Sequence, residues 1–160
     1  SPRVRVRAHR GVRRARTGRR VVRGQRAGVV GRPLGRLAEI IVLDQFSRNI
    51  HRGTPLAFAQ DPLALALSRE AVARDVLTQL QQPTERAFLL MPYMHSESAA
   101  IHAEAELLFR VWTAEGNYQF ELRHKAIIDR FGRYPHRNRI LGRASSAEEE
   151  EFLRQPGSSF

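Results

Sequence analysis

Apolar residues recur at helical spacing from residue 34 onward, and at no regular spacing before it. Leu34, Leu37, Ile40, Ile41 and Leu43 fall three and four apart, which predicts a helix running to about Phe46, with Gly53 closing the segment. Thr54-Pro55 and Asp61-Pro62 each read as an N-cap followed by Pro at the first helical position. The second pair opens a helix over about 62–81 that sets Leu63, Leu67, Ala71 and Leu77 on one face. Thr84 is expected to cap a short helix holding Phe88, Leu89 and Leu90, which Pro92 ends or kinks. Ser96 or Ser98 starts a long helix to about Glu115, with Ile101, Ala105, Leu108 and Trp112 on its inner face and Gly116 as its stop. A further helix spans about Tyr118 to Arg130 and buries Phe120, Ile127 and Ile128 or their neighbours. Gly132 to Arg143 reads as a loop. Ser145-x-x-Glu148 and Ser146-x-x-Glu149 are capping boxes ahead of Phe152-Leu153, and the acids at 148–151 are expected to form a solvated first turn. No segment alternates as a strand would, so the fold class is all-α.

The first 32 residues are of another kind. Twelve Arg, seven Val, five Gly and three Ala make up 27 of them. Uncompensated guanidiniums repel one another and the glycines break any helix, so residues 1–32 are expected to be a poorly ordered, arginine-rich head before a helical domain at 33–160. The charge separates in the same way. Residues 1–36 hold 13 Arg and no acid, which leaves 14 basic against 16 acidic residues in 37–160, so the formal net charge of +11 belongs to the head alone. Three readings of the head stay open: a sequence-blind arm for nucleic acid, a targeting segment, or a mistranslated or misannotated stretch of a G/C-rich gene. With no Met at its start, the chain is expected to be a fragment or a processed product.

Composition excludes several classes of chemistry. There is no Cys, hence no disulfide framework and no thiolate zinc site. The longest apolar runs, such as Ile40-Ile41-Val42-Leu43, fall far short of the roughly 20 residues of a membrane span, and a cytoplasmic protein with no membrane contact is expected. No Gly-rich phosphate loop, nucleophile elbow or His-Glu-x-x-His occurs. His-Ala-Glu at 102–104 matches half of a zinc deaminase signature without its cysteines.

Three polar motifs interrupt the apolar helices: Leu43-Asp44-Gln45-Phe46-Ser47-Arg48-Asn49-Ile50, Pro92-Tyr93-Met94-His95-Ser96-Glu97, and Arg130-Phe131-Gly132-Arg133-Tyr134-Pro135-His136-Arg137-Asn138. On these motifs the chain resembles a bacterial family of helical proteins, the domain of unknown function numbered 924, from Gly35 to Phe160 but not over residues 1–32. It departs from the family pattern at Ser47, Met94 and Ser98, where Pro, an acid and Asp are usual. The resemblance implies a right-handed, TPR-like array of antiparallel helices, and it implies no activity. It also implies further helices ahead of this point, which this chain is expected to lack.

The motif chemistry suits recognition of an anion. Asp44 and Arg48 stand four apart, an intrahelical ion pair or a holder that presents Arg48 to an anionic ligand, and Asn49 reads as a helix-end cap. Arg133, His136 and Arg137 fall in one loop with Tyr134, where they either satisfy helix-end carbonyls and Asp129 or receive a phosphate or carboxylate. The candidate ligand-binding set is Asp44, Arg48, His95, Glu97, Arg133, His136 and Arg137, with no metal or cofactor, and the expected partner is an anionic small molecule or an acidic peptide segment. Alanine at Arg48 or Arg137 is then expected to weaken binding and leave the melting temperature almost unchanged. Two alternatives remain. One is a hydrolase-type enzyme using His95 or His136 as general acid or base with Glu97 or Asp129 orienting the ring; the other is nucleic-acid association through residues 1–32.

Overall fold

The computed structural model describes residues 32–160. The expectations for the arginine-rich head fall outside these residues, except at Arg32, the N-cap of the first described helix. Helix α1, Pro33–Ile41, passes without a break through a π-helical turn, Val42–Phe46, into α2, Ser47–Ile50. Pro33 suits the first position because its missing N–H would have no intrahelical partner there. The segment therefore runs one turn beyond the expected end at Phe46. Leu37 and Ile40 face the core, whereas Leu34, Val42, Phe46 and Ile50 stay exposed.

A 3-10 turn, Pro55–Phe58, leads to α3, Asp61–Ala73. Gln60 is the N-cap of α3 and Asp61 its first residue, because the Asp61 carboxylate is engaged by Arg48 instead of capping the helix. The helix expected over 62–81 stops at Ala73. Asp75 adopts the left-handed conformation (φ 56°, ψ 29°) before α4, Val76–Gln79, restarts. Asp tolerates this conformation better than most residues, and the spacing of apolar positions carries no sign of it. Ala64, Ser68 and Ala71 form the buried face of α3, and Leu63, expected inside, is half exposed.

Helix α5, Pro83–Met94, begins with a capping box between Gln82 and Glu85, so Thr84 is not its cap. Pro92 lies in its last turn, and the helix persists two residues beyond it. Ser98 caps α6, Ala99–Trp112, its Oγ accepting from the Ile101 N–H at 3.4 Å. Gly116 does not stop α6, which ends at Trp112; it sits in the first turn of α7, Glu115–Phe131. Gly132 ends α7 at φ 69°, where a side chain would be strained. Ser146 and Glu149 realise the second predicted capping box ahead of α8, Ala147–Leu153. Ser145 is taken instead by the Asn138 side chain at 3.1 Å.

α5 is the central helix. α1, α3 and α6 pack on it, and α7 packs on α6. Leu89, Leu90 and Met94 of α5 meet Leu37, Ile40, Ala71 and Phe109 in the main core. Each such side chain contributes about 1.5–3 kcal/mol through burial. A smaller cluster of Ile127, Ile128 and Tyr134, backed by Phe131 and Phe152, ties the 132–146 loop and α8 to the end of α7. The described residues are all helix, turn and loop, with no strand, and none of their helices is long and apolar enough to cross a membrane.

Candidate functional site

The continuous segment through the π turn into α2 forms one wall of a cavity. Gln45, Arg48 and Asn49 stand three and four apart, the spacing of one helical face, and line that wall together. Asp44 lies behind them, 1% exposed. Its Oδ1 accepts from Arg48 Nη1 at 2.9 Å and from His95 Nδ1 at 2.8 Å, and its Oδ2 accepts from Gln45 Nε2 at 2.6 Å. Burial by itself would raise the Asp44 carboxyl; the hydrogen bond and charge of His95 and the charge of Arg48 outweigh it and hold the group below the usual carboxylate range. An ionised carboxylate only accepts, so His95 donates from Nδ1 and keeps its lone pair on Nε2. Burial pushes His95 below its ordinary value, against the pull of Asp44.

Arg48 also grips the first turn of α3, with Nη1 and Nη2 each donating to an Asp61 oxygen at 2.8 Å. The predicted intrahelical pair is therefore one half of a clamp joining the π turn to α3. Asn49 caps nothing among the described residues and lines the cavity instead.

The opposite wall comes from the loop after α7. Arg137 is 6% exposed, with its guanidinium 4.6 Å from the centroids of both Phe58 and Tyr134. Its Nη2 donates to the His95 carbonyl at the end of α5 at 3.0 Å, while its buried Nε has no hydrogen-bond partner. Burial and the nearby Arg48 charge lower its affinity for a proton. His136 likewise keeps a buried, unpartnered Nδ1, and burial pushes its ring down to about 4. The expected choice between helix-end bonding and ligand binding thus resolves residue by residue: Arg137 bonds a helix-end carbonyl and still has a donor unspent.

Between these walls lies a cavity of about 530 Å³. Arg48, Arg52 and Arg137 line it, and among the described residues no Asp or Glu side chain does. Arg52 is exposed and makes no ion pair among the described residues. His95, His124 and His136 also contribute, with Phe120 and Phe160 at one end. Burial drives His124 down to about 3, and its Nδ1 donates to the Phe120 carbonyl at 2.8 Å. A second cavity, of about 470 Å³, shares Phe58, His95 and Arg137 with the first and adds Asp61, Ser96 and Glu97.

Of the seven candidates, Arg48, His95, His136 and Arg137 line the main cavity, and Asp44 supports it from behind. Glu97 does not line it. Arg143 holds Glu97 with two bonds of 2.8 and 2.9 Å, and the Tyr134 N–H donates to it at 2.8 Å. Burial would raise the Glu97 carboxyl, but the Arg143 and Tyr134 bonds win and lower it. Arg133 is also elsewhere, donating twice to buried Glu149 at 2.7 and 2.8 Å and once to the Ala144 carbonyl. Glu149 is therefore an anchor of the loop rather than part of a solvated turn. Asp129 pairs with Lys125 at 2.6 Å. The carboxylate that orients His95 is Asp44, not Glu97 or Asp129. The residues at these two cavities that the motifs did not single out include Arg52, Phe58, Asp61, Phe120, His124 and Phe160. Only the proximity of Arg52 to the first motif could have signalled any of them.

His102, part of the partial zinc signature, is fully buried on α6. It bonds the Glu121 carboxyl at 2.6 Å and the Ser96 carbonyl at 2.8 Å. Among the described residues no three His, Cys, Asp or Glu side chains gather as a metal site.

A family model described as a bacterial protein of unknown function, DUF924, matches residues 7–157. The match reaches into the arginine-rich segment, which the motif resemblance had left out. No curated protein matches the chain. A solved structure of a protein of unknown function from Agrobacterium tumefaciens is similar, at 34% identity and a TM-score of 0.74, over 82% of this chain and 74% of that one.

Proposed function

The chain belongs to the DUF924 family of bacterial proteins of unknown function, and we propose that its main cavity binds a small molecule carrying an anionic group. One observation carries this reading: three arginines line the cavity wall and, among the described residues, no Asp or Glu side chain does. Arg48 is largely spent on Asp44 and Asp61, but Arg52 and the Arg137 Nε retain donors. Arginine forks match the oxygens of phosphates and carboxylates, and in a recess they act against less water than on an open face. The recess favours a small molecule over the acidic peptide that a TPR-like groove would take. We place this activity in the cytoplasm.

Calorimetry with phosphorylated and carboxylated metabolites tests the reading. One or more of them is expected to bind saturably, with Arg52→Gln weakening the affinity about tenfold, roughly one charge-assisted bond. Because Arg52 is exposed, the melting temperature stays at the wild-type value. Burial holds His124 near 3 and His136 near 4 and lowers His95, so a ligand of fixed charge gains or loses no affinity through His124 and His136 from pH 6 to pH 9. Equal affinity in wild type and Arg52→Gln contradicts the reading.

The Asp44–His95 pair favours a second reading, general-base catalysis at the same cavity. A carboxylate-oriented imidazole with its Nε2 lone pair available is suited to taking a proton from water. In phosphatase and esterase screens, any turnover should vanish in His95→Gln. Turnover that survives the substitution removes His95 from the chemistry.

A further inference from the structure

The cavity lining is of two chemical kinds. Gln45, Arg48, Asn49 and Arg52 supply polar groups from the first wall, and a cluster of aromatic rings, with Arg137 against Tyr134, supplies the rest. In that cluster sits Phe160, whose ring stacks on His124 at 3.8 Å and 25° and meets Phe120 edge-on at 5.5 Å. Tyr134 and His136 close two more sides, at 6.5 and 5.9 Å between ring centroids. His124 is fixed in orientation by its bond to the Phe120 carbonyl, so the face it presents is built in advance of any guest.

Phe160 is loosely tethered by comparison. The last hydrogen bond holding its segment is Ser158 Oγ to the Leu153 carbonyl, and no bond among the described residues involves positions 159 or 160. The residue is 48% exposed while its ring fills an aromatic slot. A ring held by packing alone exchanges readily with another ring of like shape.

We infer that the cavity's ligand joins an anionic group to an aromatic ring, and that the Phe160 ring occupies the place of the ligand's ring when the cavity is empty. This rests on the anion reading above and adds the second half of the ligand. The cavity arginines fix the charged group. The preformed His124 face, edged by Phe120 and Tyr134, receives the ring once Phe160 swings out.

Four probes separate the two claims: inorganic phosphate, phenyl phosphate, cyclohexyl phosphate of equal charge and similar size, and benzyl alcohol. Their dissociation constants are measured by NMR titration of wild type and of Phe160→Ala. In wild type, phenyl phosphate is expected to bind about tenfold more tightly than inorganic phosphate, and more tightly than cyclohexyl phosphate. Phe160→Ala removes the competitor, so phenyl phosphate binds several-fold tighter still, while inorganic phosphate is unchanged. If phenyl phosphate binds no better than inorganic phosphate, the ring half of the inference is wrong and the anion reading stands. If phenyl phosphate binds Phe160→Ala no more tightly than wild type, Phe160 does not occupy the ring's place. If only benzyl alcohol binds, or none of the four, both readings fall together.

Discussion

His102→Ala is expected to be about 3–5 kcal/mol less stable than the wild type, the cost of removing one partner from a buried polar pair. His102 and Glu121 are both fully buried. The Ser96 carbonyl can only accept, so His102 donates to it from Nε2. A proton must then lie between His102 Nδ1 and Glu121 Oε1, which stand 2.6 Å apart. Without the imidazole, Glu121 is left in the core with neither oxygen satisfied, since its Oε2 already has no partner. Glu121→Gln behaves differently. An amide supplies the shared hydrogen itself and costs about 1 kcal/mol or less.

The pH dependence separates those two variants. Burial raises the Glu121 carboxyl above its ordinary value of 4.5 in the folded chain, against the opposing pull of His102. A raised group contributes stability that is complete below its unfolded value and is lost as pH rises through its folded value. Wild type should therefore lose stability relative to Glu121→Gln as pH climbs above 4.5. Urea denaturation of both proteins from pH 4 to pH 9 checks this, and parallel curves would show that no proton is shared.

Arg48→Ala should also unfold at lower denaturant, by on the order of 3 kcal/mol. This reverses the expectation, from the motif alone, that Arg48 could be removed at little structural cost. Sequence spacing shows only the i,i+4 partner Asp44. The structure adds Asp61, bound through both terminal nitrogens, so one guanidinium joins the π turn to α3. Lysine cannot span two carboxylates as a fork does, and Arg48→Lys should recover less than half of the loss. Arg137→Ala should likewise destabilise, because its guanidinium is stacked against Phe58 and Tyr134. Arg52→Gln keeps the wild-type midpoint. A wild-type midpoint in Arg48→Ala would mean that the clamp contributes nothing.

Much of the fold was legible because helix signals are local. The Ser98 and Ser146 caps, and the burial of Ile101 and Ala105 on α6 and of Ile127 and Ile128 on α7, follow from residues within one or two turns, whereas Phe109 and His102 are buried on α6 without having been expected there. The misplaced boundaries have non-local or conformational causes. Asp61 was read as a cap because its partner, Arg48, is distant along α3's own pattern, and the break at Asp75 depends on a backbone conformation that apolar spacing does not encode. The π turn was likewise invisible, because one turn of wider pitch leaves no mark on the spacing of apolar residues.

The site was legible in part for the same reason. Of the motif residues, Arg48, His95, His136 and Arg137 line the cavity. Glu97 and Arg133 carried the same kind of polar signal yet serve the loop, each bound by a side chain more than ten positions away. Phe160 and Phe58 read as ordinary apolar residues, and only their positions against His124 and Arg137 give them meaning.

The anion-binding claim is tested most directly by following the Arg137 Nε–H resonance during a phosphate titration. That donor is buried and unpartnered, on an arginine that lines the cavity. A bound oxyanion should shift its signal saturably, and Arg52→Gln should raise the midpoint about tenfold with the rest of the spectrum unchanged. A signal that stays still while phosphate binds elsewhere, or does not bind at all, would contradict the assignment of this cavity.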